Sequence, residues 1–167
     1  MNDTVTIITS VTNNQIVKSF GGVDYKPLKF SPGLEFCAFQ HPVHDLQSLA
    51  SVIGGLEAEL TKAVIRGLPL LPQNEPVARQ SQNFSSKSHH WCMIDIDSLP
   101  WNGNLQNHKA MLEYASFHLP PEFQQVDCSY HFSSSMGIKA GIRLHLWFWL
   151  ERPCSDDEMK AWLSGCP

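Results

Sequence analysis

Long apolar runs are absent from this sequence, and no stretch approaches the roughly 18 consecutive apolar residues that cross a bilayer. The N-terminus also lacks a cationic segment followed by an apolar block, so no secretory signal is expected. Neither sign of charge dominates, because 12 Lys and Arg stand against 16 Asp and Glu, a net charge of −4. We therefore predict a cytoplasmic protein without a membrane partner, in which any nucleic-acid contact relies on a local basic patch.

Paired cysteine motifs are missing as well. The five cysteines are an odd number at wide spacings, with no CxxC pair, which fits neither a disulfide framework nor a zinc ribbon. Reduced thiols are expected. Cys128 and His131 have the spacing of two metal ligands, but a zinc site would need partners from distant parts of the sequence. A buried cysteine beside an accessible histidine is the favoured interpretation.

The chain of 167 residues, 43% of them hydrophobic, is long enough for one domain that buries about 70% of its unfolded surface. Hydrophobic periodicity predicts the order β-β-β-α-β-β-α-β-β-α. This order indicates an α+β fold with a central, mostly antiparallel sheet flanked by helices. Within a single domain, 1–167, we predict a β-rich N-terminal segment, 1–44, and a motif-bearing core, 45–167. The N-terminal segment is expected to contain a hairpin between a strand near Val5–Ile8 and residues 15–20.

Helices are predicted at three places, each with helical spacing or a capping motif: after Asp45, over Leu105–Phe117, and after the capping box Ser155–Glu158. Strands are predicted over Trp91–Asp97, Gln125–Phe132 and Ile142–Leu150. The stretch Leu71–Ser88 is rich in Pro, Gln, Asn and Ser and is predicted to be a long loop.

The segment WCMIDID, residues 91–97, carries two acidic side chains on a strand. Alternation places Asp95 and Asp97 on one face, with Cα atoms about 6.6 Å apart, close enough to hold a divalent cation. Oxygen ligands favour hard ions, so Asp95 and Asp97 are candidate ligands of Mg²⁺ or Mn²⁺. The alternative is that the two aspartates only mark the end of the strand before a turn.

In the strand Ile142–Leu150, Arg143 and His145 share the face opposite the apolar one. If this strand lies near the Asp strand, both side chains would look toward a carboxylate-held metal, the layout needed to hold a triphosphate. Upstream, Ser134 and Ser135 offer hydroxyls for phosphate contacts. The alternative is an amphipathic edge of the sheet, with the basic residues merely solvated and the serines in a polar turn.

Taken together, the strand with DID, the helix, the serines and GIRLHLWFWL resemble the archaeo-eukaryotic primase superfamily, particularly the primase-polymerases of phages, plasmids and integrated elements. In that family the first motif is a hydrophobic strand ending in Asp-x-Asp or Asp-x-Glu, matched by Asp95 and Asp97. The second is a strand with small-x-His, matched at His145. The resemblance covers most of the chain from about residue 45 onward and rests on the order and spacing of the motifs.

The resemblance implies a primase-polymerase-like catalytic core that joins nucleotides on a DNA template. Asp95 and Asp97 would be catalytic residues that hold Mg²⁺ or Mn²⁺, and His145 would be a catalytic residue that binds the phosphates of a nucleoside triphosphate. Arg143 would add charge, and Ser134 or Ser135 would supply hydrogen bonds. A helicase domain, downstream or in trans, is a further implied partner.

Two features depart from the family pattern. Arg143 stands where the family has a small residue two positions before the histidine. The family's third acidic motif is not found on a strand before Pro167, and the acidic residues from Asp156 to Glu158 fit the N-terminus of a helix better. We therefore expect residues 1–167 to be an incomplete catalytic unit, either the N-terminal part of the catalytic domain of a larger replication protein or a naturally short relative.

Two other classes stay open. A metal-dependent nuclease or a nicking replication initiator would use Asp95 and Asp97 with water or a tyrosine as nucleophile, although the His-x-His pair of such initiators is missing here. A catalytically inactive nucleic-acid-binding module would stack bases on the tryptophans, for which packing is the favoured role. His89 and His90 are interpreted as solvated loop residues outside the site.

Overall fold

A computed structural model of the chain describes residues 2–16, 20–21, 24, 26–27 and 35–164. The chain divides into two compact units, Met1–His89 and His90–Pro167. The predicted α+β class is confirmed, because the described residues form antiparallel sheets and three α-helices. The boundary predicted between residues 44 and 45 falls inside the first unit. The prediction of a single domain, 1–167, stays a prediction.

The first unit is built mainly from strands and contains one helix, α1 (Leu46–Gly54). Its described strands are β1 (Asp3–Ser10), β2 (Phe20–Gly21), β3 (Lys26–Pro27), β4 (Glu35–Val43), β5 (Lys62–Ile65), β6 (Leu68–Pro69), β7 (Val77–Ala78) and β8 (Phe84–Ser85). The main sheet has the order β5-β1-β4-β7, and each neighbouring pair is antiparallel. β2 pairs with β3, and β6 pairs with β8.

β1 lies between two strands that are distant in the sequence. It pairs with β4 over its whole length and with β5 on its other side. The chain does turn at Asn13, which has a φ of 55°. The predicted hairpin partner is nevertheless wrong, because the largely buried β1 is covered by two long-range strands. Residues 17–19 of that predicted partner lie outside the described residues.

Helix α1 begins where its capping residue predicts. The Asp45 carboxylate accepts a hydrogen bond from the backbone N–H of Ser48 at 2.7 Å, and the Ser48 hydroxyl accepts one from the Asp45 N–H at 3.1 Å. In contrast, the segment Leu71–Ser88 is not the featureless loop that was predicted, because it contains β7, a 3₁₀ turn at Ser81–Asn83 and β8.

The second unit contains a three-stranded sheet in the order β10-β11-β9. Its elements are β9 (His89–Leu99, which starts at the last residue of the first unit), α2 (His108–Phe117), a 3₁₀ turn (Pro121–Phe123), β10 (Ser129–Phe132), β11 (Ile142–Cys154) and α3 (Asp156–Leu163). β10 and β11 are antiparallel. The described residues therefore form three sheets in the first unit and one in the second, where the sequence predicted one central sheet.

The apolar core of the second unit lies on one face of this sheet. Alternate residues of β11 are buried there: Ile142, Leu144, Leu146, Phe148 and Leu150. They pack with Met111 and Ala115 of α2 and with Met159 of α3. The remaining positions of the strand point to the opposite face, which carries the acidic and basic side chains.

The predicted elements of the second unit are confirmed with shifted ends. β9 and β11 are longer than predicted, whereas β10 begins only at Ser129, after Gln125 has adopted a φ of 56°. The capping box before α3 is present, with Ser155 and Glu158 bonded to each other's backbone N–H groups. No helix in the described part of the chain is long and apolar enough to cross a membrane.

Candidate functional site

Asp95 and Asp97 lie on the exposed face of β9, as strand alternation predicts. Their side chains are 59% and 66% exposed, whereas Cys92 and Ile94 are buried on the other face. The two like charges therefore remain in contact with water, which avoids the desolvation that a buried carboxylate pair would suffer.

The neighbouring strand, β11, brings one basic side chain to each aspartate. His145 Nε2 lies 3.3 Å from Asp95 Oδ1, and Arg143 Nη1 donates to Asp97 Oδ1. Asp95 precedes Asp97 on β9, whereas its partner His145 follows Arg143 on β11, and this reversed order is expected of antiparallel neighbours. Asp95, Asp97, Arg143 and His145 thus form one group, here called the acid–base cluster.

The basic members of the acid–base cluster are much more buried than the acidic ones. The side chains of Arg143 and His145 are 11% and 26% exposed. β11 is the central strand of its sheet. These facts contradict the alternative in which both residues are merely solvated at a sheet edge. Arg143 donates to Asp97 and Ser98, while its buried Nε has no hydrogen-bond partner within the described part of the chain.

Ser98 reaches the cluster because the backbone leaves strand geometry at this residue. Its φ is 74°, in the left-handed region that few residues other than glycine occupy, and its hydroxyl accepts from Arg143 Nη2. Gly141, just before β11, has a φ of 81°. A Cβ at Gly141 would lie 2.7 Å from the carbonyl oxygen of Leu99. Glycine therefore allows the start of β11 to approach the end of β9.

A second histidine, His131 of β10, lies beside His145. The two residues are cross-strand partners, and His131 Nε2 is 2.6 Å from His145 Nδ1. The indole N–H of Trp147, which can only donate, donates to His131 Nδ1 at 3.2 Å. A neutral His131 then carries its proton on Nε2 and donates to His145. A neutral His145 in turn carries its proton on Nε2, on the side of Asp95.

The two hydrogen bonds, from Trp147 to His131 and from His131 to His145, run in a single direction and leave Nε2 of His145 on the side of Asp95 Oδ1, 3.3 Å away. His145 presents an N–H at Nε2, and its other nitrogen, Nδ1, is occupied by His131. In this state His145 is suited to donate a hydrogen bond to an anionic oxygen. It is poorly suited to accept a proton from a substrate, because its basic nitrogen faces another protein side chain.

Ser134 and Ser135 lie in the turn that precedes β11. Ser134 is exposed, and the Ser135 hydroxyl is 3.0 Å from that of Ser133. The turn is linked to the cluster through its backbone, because the Ser133 N–H donates to the Arg143 carbonyl oxygen at 3.0 Å. Within the described residues, no contact joins either predicted hydroxyl to the aspartates or to His145. Their phosphate-binding role stays a prediction.

Cys128 shows no sign of being a metal ligand with His131. Burial raises the pKa of its thiol, and the charge of the neighbouring Asp127 raises it further, so the thiol form is favoured over the thiolate that binds metals. Both ring nitrogens of His131 are in contact with His145 and Trp147. Four of the five cysteines lie in the described part of the chain and carry thiols outside any disulfide: Cys37, Cys92, Cys128 and Cys154; Cys166 lies outside the described residues.

The interpretation of His89 and His90 as solvated loop residues is wrong. His89 is fully buried, with Nδ1 2.9 Å from Asp3 Oδ1 and Nε2 2.7 Å from the Arg66 carbonyl oxygen. His90 Nδ1 is 3.0 Å from the Leu150 carbonyl oxygen, and its ring stacks on Trp149. Both belong to β9, which extends further toward the N-terminus than its apolar run indicated.

Sequence reasoning missed His131, Trp147 and Ser98 as members of the site. Trp147 was recognisable in part, because alternation places it on the face of His145. His131 was not, because the connection over residues 133–141 leaves the pairing register of β10 with β11 open. Ser98 reaches the site because its backbone adopts a left-handed conformation, which a serine at this position does not indicate.

Comparisons of this chain with models of protein families, with curated proteins and with solved structures find no match.

Proposed function

We propose that the acid–base cluster is the site of a metal-dependent nucleotidyltransferase of the primase-polymerase type, which joins nucleotides on a DNA template. One observation carries the proposal: Asp95 and Asp97 face His145 and Arg143 of the adjacent strand. Two carboxylates can hold a cation, and the guanidinium and imidazole N–H groups beside them can hold a triphosphate next to it. The resemblance of the motif order to the archaeo-eukaryotic primase superfamily supports the same function.

Asp95 and Asp97 would hold Mg²⁺ or Mn²⁺. They supply two exposed oxygen donors of the kind that hard cations prefer. No group of three or more His, Cys, Asp or Glu side chains in the described part of the chain is placed to hold a metal ion. The donor set therefore fits an open site, with water and substrate oxygens as the other ligands. A cation bound there would activate the attacking 3′-hydroxyl and neutralise charge on the departing pyrophosphate.

His145 and Arg143 would bind the triphosphate. The N–H at Nε2 of His145 and the guanidinium of Arg143 are donors suited to phosphate oxygens. The guanidinium of Arg143 reaches the open side of the cluster through its terminal nitrogens, which contact Asp97 and Ser98 in the free protein. The ion pairs of the free protein thus mark the positions of both ligands: a cation replaces the positive charge beside the aspartates, and a phosphate replaces the negative charge beside Arg143 and His145.

The geometry gives less support to a nuclease or a nicking initiator. A base that activates water needs a nitrogen facing the substrate, whereas Nδ1 of His145 faces His131. A nicking enzyme needs a tyrosine near the metal. Of the two tyrosines in the described ranges, Tyr114 packs against the apolar core, and Tyr130 precedes His131 on β10 and so points to the opposite face.

An inactive module that stacks bases on tryptophans is also less supported. Trp91 and Trp147 are buried, Trp149 stacks on His90, and Trp101 packs against Tyr114. These are packing contacts, the role favoured for the tryptophans from the sequence. The DNA template and a helicase domain, downstream or in trans, remain partners that the proposal implies.

Primer extension tests the proposed function directly. The protein is incubated with a primed DNA template, Mn²⁺ or Mg²⁺, and either ribo- or deoxyribonucleoside triphosphates. We expect incorporation that stops on addition of a chelator and falls by about 100-fold or more in Asp95→Asn and Asp97→Asn. Asp157→Asn is the matched control, because this carboxylate of α3 is 94% exposed and lies outside the cluster. Full incorporation by Asp95→Asn, or metal-dependent cleavage of the template instead, would contradict the proposal.

A further inference from the structure

We propose that His131, held by the indole N–H of Trp147, is a positioning residue that keeps His145 protonated at Nε2 and aimed at the triphosphate. This inference rests on the proposed function, since it assigns the way in which the nucleotide-binding histidine of that site is prepared. It concerns a residue that the sequence motifs do not include.

His131 is placed directly beside His145 by the pairing of β10 with β11. Cross-strand partners on an antiparallel pair project from the same face, and His131 is the partner of His145. The distance of 2.6 Å between His131 Nε2 and His145 Nδ1 is that of a hydrogen bond between ring nitrogens. One nitrogen of that pair must donate and the other must accept, so the protonation of one ring determines the tautomer of the other.

Trp147 sets the direction of this hydrogen bond. An indole N–H has no acceptor capacity, so its contact with His131 Nδ1 requires that nitrogen to accept. Trp147 is buried, and its ring lies 6.1 Å from that of His131 with an interplanar angle of 28°. Packing therefore holds the donor in place and leaves the proton of neutral His131 on Nε2.

These hydrogen bonds orient the His145 ring. A solvated imidazole can carry its proton on either nitrogen and can rotate about its side-chain bonds. With Nδ1 occupied, His145 presents only the Nε2 N–H to the open side of the acid–base cluster, where Asp95 Oδ1 lies 3.3 Å away in the free protein. An oriented donor loses less entropy when a phosphate oxygen takes the place of Asp95, so nucleotide binding is strengthened.

The inference is tested in the full chain by the ¹⁵N and ¹H signals of the His145 ring, recognised by their loss in His145→Gln. We expect a protonated Nε2 and an unprotonated Nδ1 in the wild type. His131→Leu removes the donor and should give a mixture of both tautomers. His131→Gln keeps an N–H donor and should restore the wild-type pattern. Trp147→Phe removes the indole N–H but keeps an aromatic ring, with Trp162→Phe as its matched control.

A binding measurement accompanies the spectra. In the presence of Mn²⁺, the Kd for a nucleoside triphosphate should rise about fivefold in His131→Leu and less in His131→Gln, the loss expected for one hydrogen bond. In primer extension the effect should appear in KM more than in kcat, because the contact already forms in the ground state.

The outcomes separate this inference from the proposed function. A His145 ring protonated at Nδ1 in the wild type would overturn the inference, as would unchanged spectra or an unchanged Kd in His131→Leu. If the spectra behave as expected but the wild type binds no nucleotide with Mn²⁺, the nucleotidyltransferase proposal is overturned, and with it the role of His131 toward a triphosphate.

Discussion

A buried Asp–His pair in the first unit, Asp3 with His89, and an exposed one in the second, Asp95 with His145, have opposite surroundings. In the first unit the side chains of Asp3 and His89 are 2% and 0% exposed, at an O···N distance of 2.9 Å. In the second unit those of Asp95 and His145 are 59% and 26% exposed, at 3.3 Å. The residue types are the same, but the pairs differ in burial, in the O···N distance and in the other groups that surround them.

The buried pair, Asp3 with His89, is surrounded by polar groups of the first unit. Both ring nitrogens of His89 meet oxygen acceptors, and the Asp3 carboxylate also accepts from the Thr4 N–H at 2.7 Å and pairs with Lys87 at 3.5 Å. Asp95, by contrast, leaves most of its carboxylate in contact with solvent. The comparison teaches that an Asp–His pair stabilises the fold when protein groups surround it and is open to a ligand when one partner faces water.

The largest expected effect is a difference in stability between the two pairs. Asp3→Ala removes the carboxylate that faces Nδ1 of the buried His89 and should lower the free energy of unfolding by about 3–5 kcal/mol. Asp95→Ala removes a partly exposed pair and should cost less than about 1 kcal/mol. Urea unfolding followed by circular dichroism measures both values. Equal losses would show that exposure does not separate the two pairs.

A second test disturbs the backbone beneath the acid–base cluster. Gly141→Ala places a Cβ against the Leu99 carbonyl oxygen in addition to the cost of a φ of 81°, and we expect a loss of about 3 kcal/mol. Gly137→Ala is the matched control, because Gly137 has a φ of 75° but no atom within 4 Å of its added Cβ. It should lose only about 1 kcal/mol. Similar losses in urea unfolding would mean that the close approach at Gly141 is unimportant.

A third test measures the binding of the two proposed ligands of the acid–base cluster, a divalent cation and a nucleoside triphosphate. Arg143→Gln removes the cation that competes for Asp97, so the Kd for Mn²⁺ alone should fall about threefold. The same change removes a charged phosphate donor, so the Kd for a nucleoside triphosphate should rise about tenfold. Isothermal titration measures both constants.

Arg152→Gln is the control for this third test, because the exposed Arg152 pairs with Glu158, outside the cluster. If the two Kd values shift in the same direction in Arg143→Gln, the proposal that a cation replaces Arg143 beside Asp97 and a phosphate replaces Asp97 beside Arg143 is contradicted.

Features set by local chemistry were predictable from the sequence. Alternation on β9 and β11 placed Asp95 with Asp97 and Arg143 with His145, and the capping residues Asp45 and Ser155 located two helix starts. Each depends on residues within a few positions of one another, where side-chain direction and backbone hydrogen bonding are fixed by local geometry.

Features that depend on distant pairing were not predictable. The partners of β1 lie at residues 35–43 and 62–65, and His89 is buried by contacts with Asp3 and Arg66. The contact of His131 with His145 depends on strand register, which periodicity in one strand does not determine. The members of the acid–base cluster on β9 and β11 could therefore be predicted from the sequence, whereas the contact of His131 on β10 with His145 could not.

The most direct test of the central claim is thermal unfolding of the wild type, Asp95→Asn and Asp97→Asn with Mn²⁺ and a nucleoside triphosphate. We predict that Mn²⁺ raises the Tm of the wild type, that the nucleotide raises it further only when Mn²⁺ is present, and that both variants lose both increments. If the nucleotide or DNA stabilises the protein equally without Mn²⁺, and Asp95→Asn responds like the wild type, the acid–base cluster is not a metal-dependent nucleotide site.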